Sequence, residues 1–163
     1  MDPMKYIVPG RKRLPYGMMN FADIRLDNYY YVDKTRFIPM IEEADRFFFF
    51  IRPRRFGKSL LVSTLEAYYS GRKELFEGLA IAELEKDWLE YPIFRIDFNG
   101  GPYMQPGILE ATIEGYLGNW EDIYGKNPHY STVGDRFREL LRRASCLLYT
   151  SPSPRDRGLS RMP

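Results

Sequence analysis

The chain has 163 residues, 44% of them hydrophobic and 28% charged, with 24 Lys and Arg against 22 Asp and Glu. Those fractions belong to a globular domain with a core of its own, and they exclude an intrinsically disordered or fibrous chain. No apolar run approaches the roughly 20 residues that span a bilayer, and the first residues lack the basic, apolar and small-residue series of a signal peptide, so a cytoplasmic protein with no membrane partner is expected.

Residues 1–13 mix Met1, Pro3, Pro9 and Gly10 with the basic triplet Arg11-Lys12-Arg13 and read as a flexible lead-in, with structure starting near Leu14. The aromatic and β-branched stretch Tyr29-Tyr30-Tyr31-Val32 predicts a short strand. Asp33-Lys34-Thr35 then opens a helix through about Ala44, with Thr35 as N-cap and Pro39 close to the first turn, where proline is best tolerated. The five apolar residues Phe47 to Ile51 predict a strand buried on both faces of a parallel sheet. After the loop Arg52 to Gly57, residues Lys58 to Ser70 place Leu60, Leu61, Thr64, Leu65 and Tyr68 at helical spacing, and Gly71 is positioned to end that helix.

Glu74 to Leu89 reads as mostly helical, the length of crossover that a parallel strand pair needs, and the second strand is expected at Ile93 to Phe98. Two amphipathic helices follow, Ile108 to Tyr124 and Ser131 to Ala144, the second with Phe137, Leu140 and Leu141 on one side. No internal repeat is visible.

The last eighteen residues, Cys146 to Pro163, carry three prolines and three arginines and do not continue the preceding helical pattern. They resemble a translated sequencing-library adapter: Cys146 to Asp156 match it residue for residue, Arg157 to Leu159 fall where a variable index sits, and Ser160 to Pro163 match its distal part. On this reading residues 146–163 are a non-native tail, and residues 14–145 are the front of a domain whose gene was cut near Ser145. Without the tail's three Arg and one Asp, 24 − 3 = 21 basic residues face 22 − 1 = 21 acidic ones, so no excess of positive charge argues for nucleic acid. The chain's one cysteine also goes with the tail, which leaves no disulfide, thiolate zinc site or cysteine nucleophile.

Chemistry is concentrated in Arg52-Pro53-Arg54-Arg55-Phe56-Gly57-Lys58-Ser59. A phosphate loop works because successive backbone amides and the first turn of the following helix aim donors at the oxygens, and the helix dipole favours the anion. Gly57 allows the close approach, Lys58 would reach the β and γ phosphates, and the Ser59 hydroxyl would ligate magnesium. The strict P-loop pattern has glycine where Arg52 stands, so the reading leans on the placement of Gly-Lys-Ser between a buried strand and an amphipathic helix.

The stretches Tyr29-Tyr30-Tyr31-Val32-Asp33-Lys34-Thr35 and Phe49 to Leu61 resemble the bacterial AAA-ATPase-like family, in which Arg-Pro-Arg-Arg-Phe-Gly-Lys-Ser is the usual form of the loop. Leu14-Pro15-Tyr16-Gly17 and Glu66-Ala67-Tyr68-Tyr69 look like family sequence too, and the resemblance is weaker from Gly100 to Ser145. It implies an α/β fold, the three-layer P-loop NTPase architecture with a mostly parallel sheet. It also implies ATP with magnesium, held by Arg54, Arg55, Phe56, Gly57, Lys58 and Ser59. Many members continue into a restriction-endonuclease-like domain. The acidic strand of Walker B type that would hold magnesium for hydrolysis is expected beyond this stretch, so the intact parent is expected to be the ATPase and this piece to be catalytically incompetent.

Other candidates each have a plainer explanation. Arg54 and Arg55 would hold phosphate oxygens, complete a neighbouring subunit's site as arginine fingers do, or form a solvated cationic loop. Asp33 and Lys34 would meet the base or ribose, or cap a helix. Asp97 imitates a magnesium-holding acid but reads better as an acid at a strand-end turn. His129 has no second ligand or paired acid at a recognisable spacing. The alternative function is a pseudo-enzyme that serves as a protein-interaction or nucleic-acid-binding module through Arg11-Lys12-Arg13 and Arg52 to Arg55.

Overall fold

A computed structural model describes residues 12–44, 47–99 and 101–150, with side chains through Cys146. The expected lead-in 1–13 and tail 146–163 thus fall largely outside the described residues. Six α-helices are present among those described: α1 (Phe21–Leu26), α2 (Ile38–Glu42), α3 (Lys58–Tyr69), α4 (Ala80–Leu84), α5 (Ile108–Tyr124) and α6 (Val133–Thr150). Short 3₁₀ turns at Thr35–Phe37 and Lys73–Phe76 precede α2 and α4. The chain divides into two compact units, residues 1–91 and 92–163. Among the described residues no helix is long and apolar enough to cross a membrane.

The expected α/β three-layer fold is not what forms. Among the described residues there is no β-strand, and the single β-bridge joins Ser70 to Glu90. A strand exists only through its neighbour's backbone, and each expected strand lacks that neighbour. Tyr29 and Tyr30 donate their N–H groups to Ile24 O and Arg13 O, at 2.9 and 2.7 Å, instead of to a ladder. The run Phe47 to Ile51 is exposed along its whole length. At Ile93 to Phe98 the Asp97 N–H goes to the Tyr116 hydroxyl at 3.1 Å. The two runs that were to pair in parallel belong to different units.

The first unit is built around Phe21, Ile38, Ala67, Tyr68, Leu75, Phe76, Leu79 and Ile81, all buried. Aromatic rings close it: Phe21 lies 4.8 Å from Phe76, and Trp88 lies 5.1 Å from Phe76 and 5.5 Å from Tyr68 in an edge-on contact. Asn20 caps α1 through Ala22 N–H at 2.9 Å. The buried Ser63 hydroxyl on α3 accepts the Phe21 N–H at 2.9 Å, so α1 is pinned to α3 by its own first-turn amide. The Arg25 Nε donates to Leu75 O at 2.7 Å and ties α1 to the second 3₁₀ turn.

Helix α3 ends as the sequence predicts. Gly71 sits at φ +68°, its N–H returns to Tyr68 O at 3.0 Å and the Arg72 N–H returns to Ala67 O at 3.2 Å, the paired bonds of a Schellman motif. A Cβ at position 71 would come within 2.7 Å of the Glu90 Cγ. Thr64 and Tyr68 of its expected inner face are buried, while Leu60, Leu61 and Leu65 are half-buried. The crossover 74–89 holds less helix than expected, the 3₁₀ turn and the five residues of α4.

Two expectations about Thr35 change. The helix is broken into a 3₁₀ turn and the short α2, with Pro39 in its first turn. The capping acceptor is Asp33, whose Oδ1 receives the Thr35 N–H at 2.8 Å and the Thr35 hydroxyl at 2.7 Å.

In the second unit α5 has the expected bounds, and α6 starts two residues later than expected and continues to Thr150. The Thr132 hydroxyl accepts the Asp135 N–H at 3.2 Å and donates to its carboxylate at 2.8 Å, which fixes the start of α6. Leu117, Trp120 and Leu140 form the buried centre, with Phe94 edge-on to Trp120 at 5.0 Å. Leu140 is buried as expected, Phe137 half-buried and Leu141 exposed. Arg136 meets Glu121 through two bonds of 2.7 and 2.8 Å, with both side chains largely withdrawn from water. The Arg136 hydrogen bonds hold the Glu121 carboxyl below its ordinary value.

Candidate functional site

The phosphate-loop residues occupy the turn that feeds α3. Two left-handed residues shape it: Arg55 at φ +66° and Gly57 at φ +74°. For arginine that conformation costs roughly 1–2 kcal/mol, which surrounding structure or function must offset. At Gly57 it is free of cost, and nothing lies within 4 Å of where a Cβ would stand, so one side of the loop backbone is open to an incoming group.

Gly57 is the N-cap of α3 and supplies no side-chain acceptor. The first intrahelical bond is Leu61 N–H to Gly57 O at 2.9 Å, so the N–H groups of Lys58, Ser59 and Leu60 are left without an intrahelical acceptor. In a twelve-residue helix these amides, at the positive end of the dipole, make an anion-receiving surface. Arg54, Arg55, Phe56, Gly57, Lys58 and Ser59 are all exposed. Arg52 stacks its guanidinium 4.9 Å from the Phe50 ring centre. Among the described residues neither Lys58, Arg54 nor Arg55 is in an ion pair, and the Ser59 hydroxyl has no hydrogen bond. The donor set, backbone amides with a flexible ammonium and a hydroxyl, is chemically suited to a polyphosphate carrying a divalent cation.

The buried strand that was to brace this loop is missing, as described above, so loop and helix alone provide its frame. Asp33 is committed elsewhere. Besides Thr35 it accepts the Ala80 N–H at 2.7 Å, and the Thr35 hydroxyl accepts the Ile81 N–H at 3.2 Å. Partial burial pushes the Asp33 carboxyl up, but the hydrogen bonds from Ala80 and Thr35 more than offset this, and it lies below its ordinary value. The Asp-x-Thr spacing signals the local cap; nothing in sequence signals a partner 47 residues away. Lys34 is exposed.

Asp97 closes a turn through Asn99 N–H at 2.8 Å, the plainer of its two roles. His129 is exposed, and its backbone N–H goes to the Asn127 side chain. Among the described residues no three His, Cys, Asp or Glu side chains gather as a metal site. The charged pairs that sequence reasoning missed, Glu121 with Arg136 and Glu139 with Arg142 and Arg143, are pairs within α6 or between α5 and α6.

The family described as "Predicted AAA-ATPase" matches residues 15–148. The chain belongs to this AAA-ATPase-like family. A relative from Azotobacter chroococcum mcd 1, named only as an uncharacterized protein in the vnfD 5' region, is 41% identical over 136 residues. That match covers 82% of this chain and 26% of the relative, so the chain spans about a quarter of the length of the curated relative it matches. No solved structure matches. Membership in the family is consistent with the resemblance carried by the Tyr-Val-Asp-Lys-Thr and Arg-Pro-Arg-Arg-Phe-Gly-Lys-Ser stretches.

Proposed function

We propose that this chain binds ATP with magnesium through Arg54 to Ser59. The observation that carries the proposal is the uncapped start of α3, with three amides lacking intrahelical acceptors behind an open Gly57 and beside Lys58, which has no ion pair among the described residues. The amides of Lys58, Ser59 and Leu60 would receive phosphate oxygens, Lys58 would neutralise the outer phosphates, and Ser59 would take one position on magnesium. Arg54 and Arg55 would add charge from the same turn. Magnesium, when bound, supplies charge neutralisation across the phosphates.

Family membership extends the proposal to the whole protein: an ATPase that couples the nucleotide to a downstream effector, with a nuclease domain in the parent chain as the candidate effector. Hydrolysis is assigned to that intact parent. ATP, rather than GTP, follows from the family alone.

Titration of a fluorescent ATP analogue, with circular dichroism to establish that each protein is folded, tests the proposal. Wild type should bind in a magnesium-dependent manner and Lys58→Ala should lose at least tenfold in affinity. Equal affinity of two folded proteins contradicts it.

One observation favours a second reading. Arg52, Arg54, Arg55 and Lys58 place four exposed cations within seven residues, a cluster that also suits a nucleic-acid backbone. A pseudo-enzyme of this kind would bind DNA in a salt-sensitive manner that survives Lys58→Ala.

A further inference from the structure

Leu60, in the first turn of α3, is held at two points and free at a third. Its side chain packs against the core of the first unit, its carbonyl accepts two side-chain hydroxyls, and its N–H is one of the three that α3 leaves without an intrahelical acceptor. The hydroxyls are those of Ser63, at 3.0 Å, and Thr64, at 2.8 Å, both of them buried. Ser63 reaches beyond the helix: it accepts the Phe21 N–H at 2.9 Å and shares its one proton between Leu60 O and Met19 O, the latter at 3.1 Å. Thr64 is also hydrogen-bonded to the Tyr31 side chain. Serine and threonine are poor helix formers, and hydroxyls that bond back to the preceding turn slightly destabilise and bend a helix. Two in succession that converge on one carbonyl, in the turn that carries the free amides, bear on where that turn points.

We propose that Ser63 and Thr64 are positioning residues for the phosphate site. By fastening Leu60 O to the segment Met19 to Phe21 and to Tyr31, they hold the first turn of α3 so that the amides of Lys58, Ser59 and Leu60 converge on one polyphosphate. They act through Leu60, without contact with the ligand. This role rests on the nucleotide-binding reading above and gives Ser63 a task beyond joining α1 to α3. A binding constellation works only when its donors are held to within roughly 0.5 Å by residues that are themselves locked by packing and hydrogen bonds. Of the three free amides, that of Leu60 belongs to the residue so locked, through its side chain in the core and its carbonyl under the two hydroxyls. With either hydroxyl removed, the first turn loses part of that hold and the amides spread over a range of directions.

Two readouts on the full chain test this role: affinity for a fluorescent ATP analogue with magnesium, and hydrogen exchange at the Leu61 amide without nucleotide, which reports opening of the first intrahelical bond, to Gly57 O. Thr64→Val keeps the shape of the side chain and removes the hydroxyl; with Ser63→Ala, it should bind the analogue about three- to tenfold more weakly and exchange Leu61 faster by a similar factor. Thr64→Ser, which restores the hydroxyl, should recover both. Ile81→Val, a methylene lost from the buried core, lowers overall stability and should leave affinity as in wild type. Wild-type affinity in folded Thr64→Val and Ser63→Ala would overturn the positioning role and leave the nucleotide reading standing. An equal loss in Ile81→Val would overturn it too, by assigning the effect to stability. Absence of binding by folded wild type would overturn the nucleotide reading and this role with it.

Discussion

Helices α5 and α6 and the run Phe47 to Ile51 all carry large apolar side chains, yet the helices bury Leu117, Trp120 and Leu140 and the run buries none of its five. The difference lies in where each finds its partner. A helix satisfies its own backbone and needs only a facing stripe, which α5 and α6 supply to each other: Trp120 and Leu140 stand twenty residues apart in one buried cluster. An extended run must borrow its hydrogen bonds from elsewhere, and hydrophobicity alone does not furnish them. Apolar content therefore reports burial faithfully for a helix with a facing apolar stripe, and for an extended run only where other strands supply its hydrogen bonds.

The largest test of this contrast is a pair of truncations. Phe76→Ala removes a ring that is 0% exposed and touches Phe21, Tyr68 and Trp88, and should cost about 3–5 kcal/mol in urea unfolding followed by circular dichroism. Phe49→Ala, at 86% exposure, should change stability by less than about 0.5 kcal/mol under dilute conditions. Similar losses in the two variants would mean that the run is packed.

A smaller effect separates the two readings of the Tyr-Val-Asp-Lys-Thr stretch. Asp33→Ala leaves the Ala80 and Thr35 amides without their acceptor and should destabilise by about 1–2 kcal/mol. Nucleotide affinity of the folded variant should be unchanged; a large loss of affinity with unaltered stability would return Asp33 to the ligand.

The smallest expected effect is on pH. Arg142 and Arg143 hydrogen bonds hold the Glu139 carboxyl at about 2, and Glu121 is lowered by Arg136. Because both folded-state values lie below the unfolded ones, the stabilisation is complete above about pH 4.5 and is lost as pH falls towards 2. Thermal melts of Glu121→Gln should show a flatter dependence than wild type across that window, and an unchanged slope would argue against the pair.

The same contrast explains what the sequence disclosed. Helices α3, α5 and α6 were legible because Leu60, Thr64 and Tyr68, or Phe137 and Leu140, recur at helical spacing and because Gly71 stops α3 by a local bond pattern. The Gly-Lys-Ser loop was legible as a short motif, and the turn at Arg55 and Gly57 with the uncapped helix behind it suits that motif. The sheet was not legible because a continuous apolar run such as Phe47 to Ile51 is buried only where other strands pair with it, and the described residues contain none. Likewise Asp33 looked like a local cap or a ligand, and its bond to Ala80 could not be anticipated from spacing.

Hydrogen exchange at the start of α3 tests the central claim most directly, because it reads the proposed donors themselves. Magnesium and ATP should slow exchange at Lys58, Ser59 and Leu60 in wild type, with far less protection in Lys58→Ala. Exchange at these amides that is unaltered at saturating nucleotide would contradict the account and move any bound nucleotide to a different part of the chain.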